Sequence, residues 1–431
     1  MAEEKHEYIE PLPNIFSSEQ KVRDIASKFG TPIFVYSQRG LQEQARLALN
    51  FPNAFGLTVR YAMKANPNLN ILRIFHNQGI HIDASSENEV ERAKKAGIPG
   101  SHIMLTSQKS PDNLPKTLED NVLYNVCSLN QLRNYGECFP KTRVSIRINP
   151  GLGSGGTNKT NTGGPSSSFG IWNENIPEII EIAKKYGLGI ERIHTHIGSG
   201  SDPEIWKKVA LMSLDNVKRF IDNGYNIKTL NLGGGYKVGR MMHERSTSLY
   251  DCGRSIAGEF KDFEKRTGKK LSLEIEPGTF LVANAGAVVA EVLDIKSTPE
   301  YDFIITDSGM TEVTRPSLYG AQHPITIVQS HTKYGTEEYI VSGKCCESGD
   351  ILTPSPDDPE GLKKRRLSKA SVGDLVVIGG AGAYCSGMST KNYNSYPEAA
   401  EVIIDRLGNP HLIRRKQTLE QMTENEINFI K

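Results

Sequence analysis

Short apolar runs recur along the first two thirds of the chain, at residues 59–64, 80–83, 102–105, 122–126, 144–148, 193–196, 229–232 and 271–275. Each is too short for a helix and long enough for a strand. Between most of them the apolar positions take helical spacing. Leu69, Leu72, Ile74 and Phe75 follow the first run; after the second, Ser86 and Glu89 form a capping box ahead of Val90, Ala93 and Ala96. A longer helix is marked at 203–224 by Ile205, Val209, Met212, Leu214, Val217 and Phe220. Eight strands alternating with helices over about 250 residues predict an α/β fold, a (β/α)8 TIM barrel.

In such a barrel the chemistry sits at the carboxyl ends of the strands. Those ends are Lys64, Asp83, Arg147, His196, Gly233-Gly234-Gly235 and Glu276-Pro277-Gly278, which are expected to converge on one face. Beyond about residue 285 the texture changes to short β-rich runs at 287–295, 302–306, 325–328, 339–342, 375–378 and 400–404, separated by turn signals such as Gly343, Gly349-Asp350 and Gly373-Asp374. The chain therefore reads as a barrel over 36–285 and a mostly β domain over 286–420, with residues 1–35 packing on the latter. Residues 354–368 read as a solvated loop, and a helix starting near Thr418 is expected within 412–430. A length of 431 residues fits two domains.

Lys+Arg 51 against Asp+Glu 50 leaves a net charge of +1, which argues against an extended basic surface for nucleic acid or an anionic membrane and favours a small-molecule partner. No apolar run is long enough to span a bilayer, and the charged N-terminal residues do not read as a secretory signal, so a cytoplasmic protein is expected. Six cysteines without a CxxC pair suggest neither a zinc framework nor a disulfide scaffold.

A lysine closing an apolar strand is expensive to bury as a cation, which makes Lys64 a candidate nucleophile or Schiff-base former; the plainer alternative is that it reaches solvent. Gly233-Gly234-Gly235 lets backbone N–H groups approach a phosphate, where a simple turn needs only one or two glycines. Glu276 is placed to hold a heteroaromatic nitrogen protonated, or is a surface carboxylate at a loop entry. His194 and His196 share a strand face at a spacing zinc can use, but no third ligand cluster accompanies them and no metal site is expected; a histidine ring also stacks well on a flat cofactor, and Ser199 adds a hydroxyl for an anion. Residues 151–156 match GxGxxG, yet the sequence that follows cannot start a helix, so 149–170 read as a mobile loop over the barrel mouth. In Cys345-Cys346-Glu347 a thiol could donate a proton and a carboxylate hold an amine; a buried structural cysteine pair is the alternative.

Taken in order, Tyr61-Ala62-Met63-Lys64-Ala65-Asn66, His194-Thr195-His196-Ile197-Gly198-Ser199, the triple glycine, Glu276-Pro277-Gly278, Asp307-Ser308-Gly309-Met310 with Arg315-Pro316-Ser317-Leu318-Tyr319, Cys346-Glu347-Ser348-Gly349-Asp350 and Gly382-Ala383-Tyr384 resemble the fold type III pyridoxal-phosphate decarboxylases, and among these the diaminopimelate decarboxylase branch. The resemblance covers roughly residues 30–420. It implies pyridoxal 5'-phosphate as cofactor, an amino-acid substrate, a homodimer with shared active sites, and conversion of meso-diaminopimelate to L-lysine and CO2, the last step of lysine biosynthesis. Lys64 matches the lysine that carries the cofactor and His196 the ring stacked on it. Ser199, Gly235, Glu276, Gly278 and Tyr384 match its phosphate and ring-nitrogen contacts, and Asp83 and Gly234 join that cofactor-binding set. Arg315, Tyr319, Glu347 and Tyr384 match substrate-binding positions. Cys346, from the neighbouring subunit, matches the proton donor.

Three positions depart from the family's usual pattern. Thr279 stands where an arginine commonly follows Glu-Pro-Gly, Glu87-Asn88 where two glycines are usual, and Ser168 where a lysine precedes Phe169-Gly170. Rival readings are a decarboxylase of ornithine, arginine or lysine, against which Arg315 speaks because those substrates lack a distal carboxylate; a racemase; and a cofactor-binding regulator without turnover.

Overall fold

The computed structural model describes residues 9–153, 162–198, 200 and 202–429. They form two units, one of residues 41–238 and 245–281, the other of residues up to 40, 239–244 and those from 282 onward. The strand β1 (Ile33–Ser37) belongs to the second unit. The first contains β2 (Leu57–Ala62), β3 (His81–Ala84), β4 (Ile103–Leu105), β5 (Leu123–Val126), β6 (Arg143–Asn149), β7 (Ile171–Trp172), β8 (Gly189–His194), β9 (Thr229–Asn231) and β10 (Ser272–Ile275). Parallel pairing runs β5-β4-β3-β2-β10-β9-β8-β6, and β5 also pairs with β6. Eight strands thus close into the expected barrel, and each apolar run overlaps one of them. The two-residue β7 adds to the outside of β6.

The helices between strands follow from their caps and stripes. Asp202 caps Pro203–Asp222 by accepting from the Glu204 N–H at 2.9 Å, and the stripe Trp206, Val209, Leu214, Val217 and Phe220 is buried. On Glu87–Lys95, Ser86 Oγ accepts from the Glu89 N–H at 3.1 Å as expected, but the Glu89 carboxylate accepts from Ser85 N at 2.7 Å, one residue before the position a capping box requires. Burial raises that carboxyl above its usual range, and it lies within the field of Lys64, so it is a residue of the barrel end as much as of the helix start. Lower in the barrel, Arg60 and Arg192 each lie 3.1 Å from a different oxygen of the buried Glu274.

Three histidines cluster beside the start of β3. His76 Nε2 lies 3.1 Å from His102 Nδ1, and the His102 ring stacks on His81 at 4.0 Å. Burial, then the charge of Arg60 and the neighbouring His102, lowers the His81 pKa to about 4. The unfolded chain therefore binds a proton here from about pH 6.5 downward, and the folded chain only near pH 4. Stability is expected to fall with acidification across that window. In urea-unfolding midpoints measured from pH 8 to 4, His81→Gln should flatten this dependence; an unaltered pH slope would exclude His81 as its source.

The second unit is a sheet ordered β17-β14-β12-β11-β1-β19-β20, with β18 joining β11 to β13. Its further strands are β11 (Gly286–Ser297), β12 (Asp302–Thr306), β13 (Ile325–Val328), β14 (Thr336–Ser342), β15 (Pro354–Ser355), β16 (Asp358–Leu362), β17 (Arg365–Ser368), β18 (Leu375–Ile378), β19 (Ala400–Ile404) and β20 (Pro410–Arg414). β1 runs antiparallel to β11 and parallel to β19, so the N-terminal segment is built into this sheet, over a core of Val22, Ile25, Ile33, Val35, Val289, Val377 and Val402.

Two expectations are corrected. Residues 354–368 are not a loop: β15 pairs with β16, and β17 adds to β14 with Leu367 buried, a period-2 pattern that the flanking charges hid. The terminal helix starts at Thr418 as expected, with a capping box, but among the described residues it spans only Leu419–Thr423, and residues 412–414 of the expected stretch belong to the edge strand β20, where β19 needs a backbone partner.

Candidate active site

Lys64 lies on a single turn, Met63–Ala65, directly after β2. Met63 and Ala65 are buried at 0% and 1% exposure, whereas the Lys64 side chain is exposed. Of the two readings of a lysine at this strand tip, the side chain takes the one that reaches solvent: burial does not single out Lys64, and its position does. The turn is fixed by Asn66 N–H donating to the Met63 carbonyl at 3.1 Å and by the Tyr61 hydroxyl donating to the Asn66 carbonyl at 3.0 Å.

Across the barrel mouth runs a chain of polar contacts that orients Glu276. Asn125 Nδ2, on β5, donates to Thr106 Oγ1 at 3.1 Å and to His194 Nδ1 at 2.6 Å, while its Oδ1 accepts from Ser145 Oγ at 2.9 Å. With Nδ1 an acceptor, the His194 proton sits on Nε2, which lies 3.4 Å from Glu276 Oε2. Asn231 Nδ2 donates to Glu276 Oε1 at 2.6 Å, and Asn231 Oδ1 accepts from the Gly233 N–H at 2.8 Å. Burial works against the Glu276 carboxylate, but the N–H groups that His194 and Asn231 turn toward it outweigh burial and hold the group below the usual carboxylate range. Glu276 is therefore a buried anion at neutral pH. Asp83, at the end of β3, goes the other way, raised well above its usual range by burial and then by the charge of Glu276, with Lys64 opposing. Two carboxyl groups in one cleft thus differ in charge state.

Two glycines of the 233–235 turn are demanded by a neighbour and the third by its backbone conformation. A Cβ on Gly234 would lie 2.0 Å from the Glu276 carbonyl oxygen, and one on Gly233 2.6 Å from His196 Nδ1; Gly235 has φ +105°. The Gly233 and Gly234 N–H groups donate to Asn231 and to His196 Nδ1 (3.2 Å), so two of the three donors expected to face an anion are committed within the barrel. The same bond fixes His196 as an acceptor at Nδ1, and burial with the charges of Arg147 and Lys64 keeps its ring neutral. Gly278 packs against the Lys64 turn, its Cβ position 3.3 Å from Ala62 Cβ.

The strand-end residues therefore do converge within the barrel unit, close enough that the charges of Lys64 and Glu276 act on the protonation of Asp83, and those of Arg147, Lys64 and Glu276 on that of His196. Arg147 had no assigned role; here its Nη2 is buried without a hydrogen-bond partner among the described residues and its guanidinium lies 5.0 Å from the Phe169 ring. Asp83 Oδ1 is likewise buried and unpartnered. A guanidinium with a buried open N–H, an open carboxyl oxygen, a fixed buried anion and a turn that excludes side chains are what a flat, phosphate-bearing, nitrogen-heterocyclic cofactor needs, so these residues fit pyridoxal phosphate. Asn125 and Asn231 were missed as functional residues, since nothing in a strand sequence marks which asparagine meets a partner across the barrel. Ser199 and residues 154–161 of the 149–170 loop lie outside the described residues; the described loop ends are held by Asn149, whose Oδ1 accepts from Gly151 N–H at 3.1 Å and Gly164 N–H at 2.9 Å.

In the second unit, Arg315 and Tyr319 sit one turn apart on the helix Arg315–Tyr319, which is closed by Gly320 in the left-handed conformation. Tyr384 has φ +55°, an unfavourable backbone for a tyrosine, and both tyrosines lie within electrostatic reach of Arg315. The loop bearing Cys346 is organised by Asp350, whose oxygens accept from Met310 N at 2.6 Å and Cys345 N at 2.9 Å. Cys346 N–H donates to Asn394 Oδ1 at 2.9 Å, and Glu347 accepts from the Tyr393 hydroxyl at 3.2 Å and Gly349 N–H at 3.2 Å. Cys346 and Glu347 are both exposed, and Cys345 is only half-buried, so a buried cysteine pair is not what the sequence encodes. Among the described residues no helix is long and apolar enough to cross a membrane.

Residues 41–283 match the family described as pyridoxal-dependent decarboxylase, pyridoxal binding domain. The chain is 33% identical over 412 residues to the diaminopimelate decarboxylase of Escherichia coli strain K12, covering 94% of this chain and 95% of that one. A crystal structure of a diaminopimelate decarboxylase superposes with a TM-score of 0.88 at 32% identity, covering 96% and 99% of the two chains. The Helicobacter pylori diaminopimelate decarboxylase complexed with L-lysine does so with a TM-score of 0.83 at 29% identity, covering 94% and 98%. With a barrel of eight parallel strands, a fixed anion facing a glycine turn, and similarity across both units, the chain belongs to the pyridoxal-dependent decarboxylases.

Proposed function

We propose that the chain decarboxylates meso-diaminopimelate to L-lysine and CO2, closing lysine biosynthesis, with pyridoxal 5'-phosphate as cofactor. The observation that carries this reading is similarity over 94% of the chain to a protein with that activity, spanning both units. Arg315 supports it, because a cation in the substrate region suits a substrate with a second carboxylate, which ornithine, arginine and lysine do not have.

When bound, pyridoxal phosphate supplies an electron sink for the charge left on the α-carbon as CO2 departs. Lys64 would hold its aldehyde end. Glu276, ionised and oriented by His194 and Asn231, would keep a proton on the ring nitrogen. His196, neutral and pinned to Gly234, presents a flat ring for stacking, and Gly235, Gly278, Ser199 and Tyr384 would hold the phosphate, with Asp83 and Gly234 beside it. Arg315, Tyr319, Glu347 and Tyr384 would orient the substrate, and the Cys346 thiol would deliver a proton to the α-carbon. Exposure of Cys346 and Glu347 in the single chain supports a homodimer in which that loop serves the other copy's site. The setting we propose is the cytoplasm.

The purified protein, loaded with pyridoxal phosphate, is to be assayed for CO2 release from meso-diaminopimelate, lysine, ornithine and arginine in parallel. We expect kcat/KM for meso-diaminopimelate to exceed the others by at least about a thousandfold. Preferential CO2 release from ornithine, arginine or lysine would assign the activity to that substrate. Inversion of the α-carbon without CO2 would make the chain a racemase, and cofactor binding without turnover a regulator.

A further inference from the structure

Two arginines, far apart in sequence, share a corner of the second unit. Arg315 Nη1 donates to His323 Nε2 at 2.9 Å. His323, at 0% exposure, donates from Nδ1 to the Gly379 carbonyl at 2.8 Å, which fixes its tautomer; burial, then Arg315 and Arg240, keeps it neutral. Arg240 Nε donates to the neighbouring Gly380 carbonyl at 3.0 Å. Its stem lies over Gly380, where a Cβ would come within 2.8 Å of Arg240 Cγ and where φ is +63°, so the backbone is shaped to seat this side chain. Arg240 Nη2 is shut off from solvent and has no hydrogen-bond partner among the described residues.

The carboxylate closest in sequence, Glu244, acts on that charge from a distance, but its Oε2 accepts from the Arg240 N–H at 2.7 Å and the Met241 N–H at 3.4 Å rather than from the guanidinium. Burial, then the charge of Arg315, lowers Arg240 to about 9, which still leaves it a cation at neutral pH. Cys385, at the same corner, is a neutral thiol, pushed up to about 11 by burial. A guanidinium with a buried, unpaired N–H beside a second guanidinium is satisfied by a carboxylate that can accept from both.

We propose that Arg240 acts with Arg315 to bind the carboxylate at the far end of the substrate, and so selects a diamino-dicarboxylic acid over simple basic amino acids. This rests on the proposed decarboxylation of meso-diaminopimelate.

The test compares two ligands of the holoenzyme, L-lysine and 1,5-diaminopentane, which differ only in the carboxylate that the product retains. Inhibition constants for both are measured in wild type, Arg240→Met and Arg240→Lys. Arg240→Met should weaken L-lysine by about ten- to a hundredfold and leave the diamine within about twofold. Arg240→Lys keeps the charge and the packing on Gly380 but not the planar fork, and should retain part of the lysine preference. Equal weakening of both ligands, an unchanged ratio, or weaker pyridoxal phosphate binding with the ratio intact would overturn the assignment. Failure of the underlying function is separate, since wild-type protein would then release no CO2 from meso-diaminopimelate.

Discussion

The Lys64→Ala chain is expected to fold with its barrel intact and to lose turnover by roughly four orders of magnitude or more. The fold survives because the exposed Lys64 side chain does not pack: the turn is held by Tyr61 and Asn66, and the neighbouring Met63 and Ala65 keep their burial. Activity does not survive because the residues around the cleft bind and orient but offer no other amine at the end of β2. Two measurements separate this role from a merely electrostatic one. Borohydride treatment of wild-type protein with pyridoxal phosphate should fix the cofactor's mass to the peptide containing Lys64, and the variant should show no such adduct. Lys64→Arg, which restores the positive charge that acts on Asp83 and His196, should not rescue either result. Recovery of activity in Lys64→Arg would reduce Lys64 to a counter-charge and refute its place as the cofactor's anchor.

The barrel is legible in the sequence because each strand end carries its own mark. β2, β3, β6 and β10 are short β runs with Lys64, Asp83, Arg147 and Glu276 at or next to their carboxyl ends, and helical spacing between runs leaves few alternatives. What cannot be read is the agreement between strands. Asn125 and His194 are 69 positions apart, and Asn231 and Glu276 are 45; only closure of the sheet brings them together and sets the charge on Glu276. The triple glycine reads as an opening for an anion, yet Gly234 is imposed chiefly by a carbonyl that arrives from β10. Arg240 lies in a stretch without periodicity, and its significance depends on Gly380, 140 residues later. Residues 354–368 went unread for a related reason, as the charges on one face of a paired strand look in sequence like a loop.

Cys346→Ala is expected to lower turnover on the order of a hundred- to ten-thousandfold while pyridoxal phosphate affinity stays within about twofold of wild type. The loop is built to place that thiol: Asp350 gathers the backbone of Met310 and Cys345, leaving no room for a side chain at Gly309 or Gly343, and Asn394 holds the Cys346 N–H. None of these contacts uses the sulfur, so its removal should leave the loop standing; a parallel loss of turnover and cofactor affinity would point to a structural role instead. Mixing tests where the thiol acts. If each site takes Lys64 from one copy and Cys346 from the other, inactive Lys64→Ala and Cys346→Ala chains, mixed equally and allowed to exchange, form heterodimers in about half of the population. Each heterodimer has one doubly damaged site and one intact site, so about a quarter of wild-type activity should return. If a single chain supplied both groups, every site in the mixture would lack one of them and no activity would return, and the exposed position of Cys346 would need another explanation.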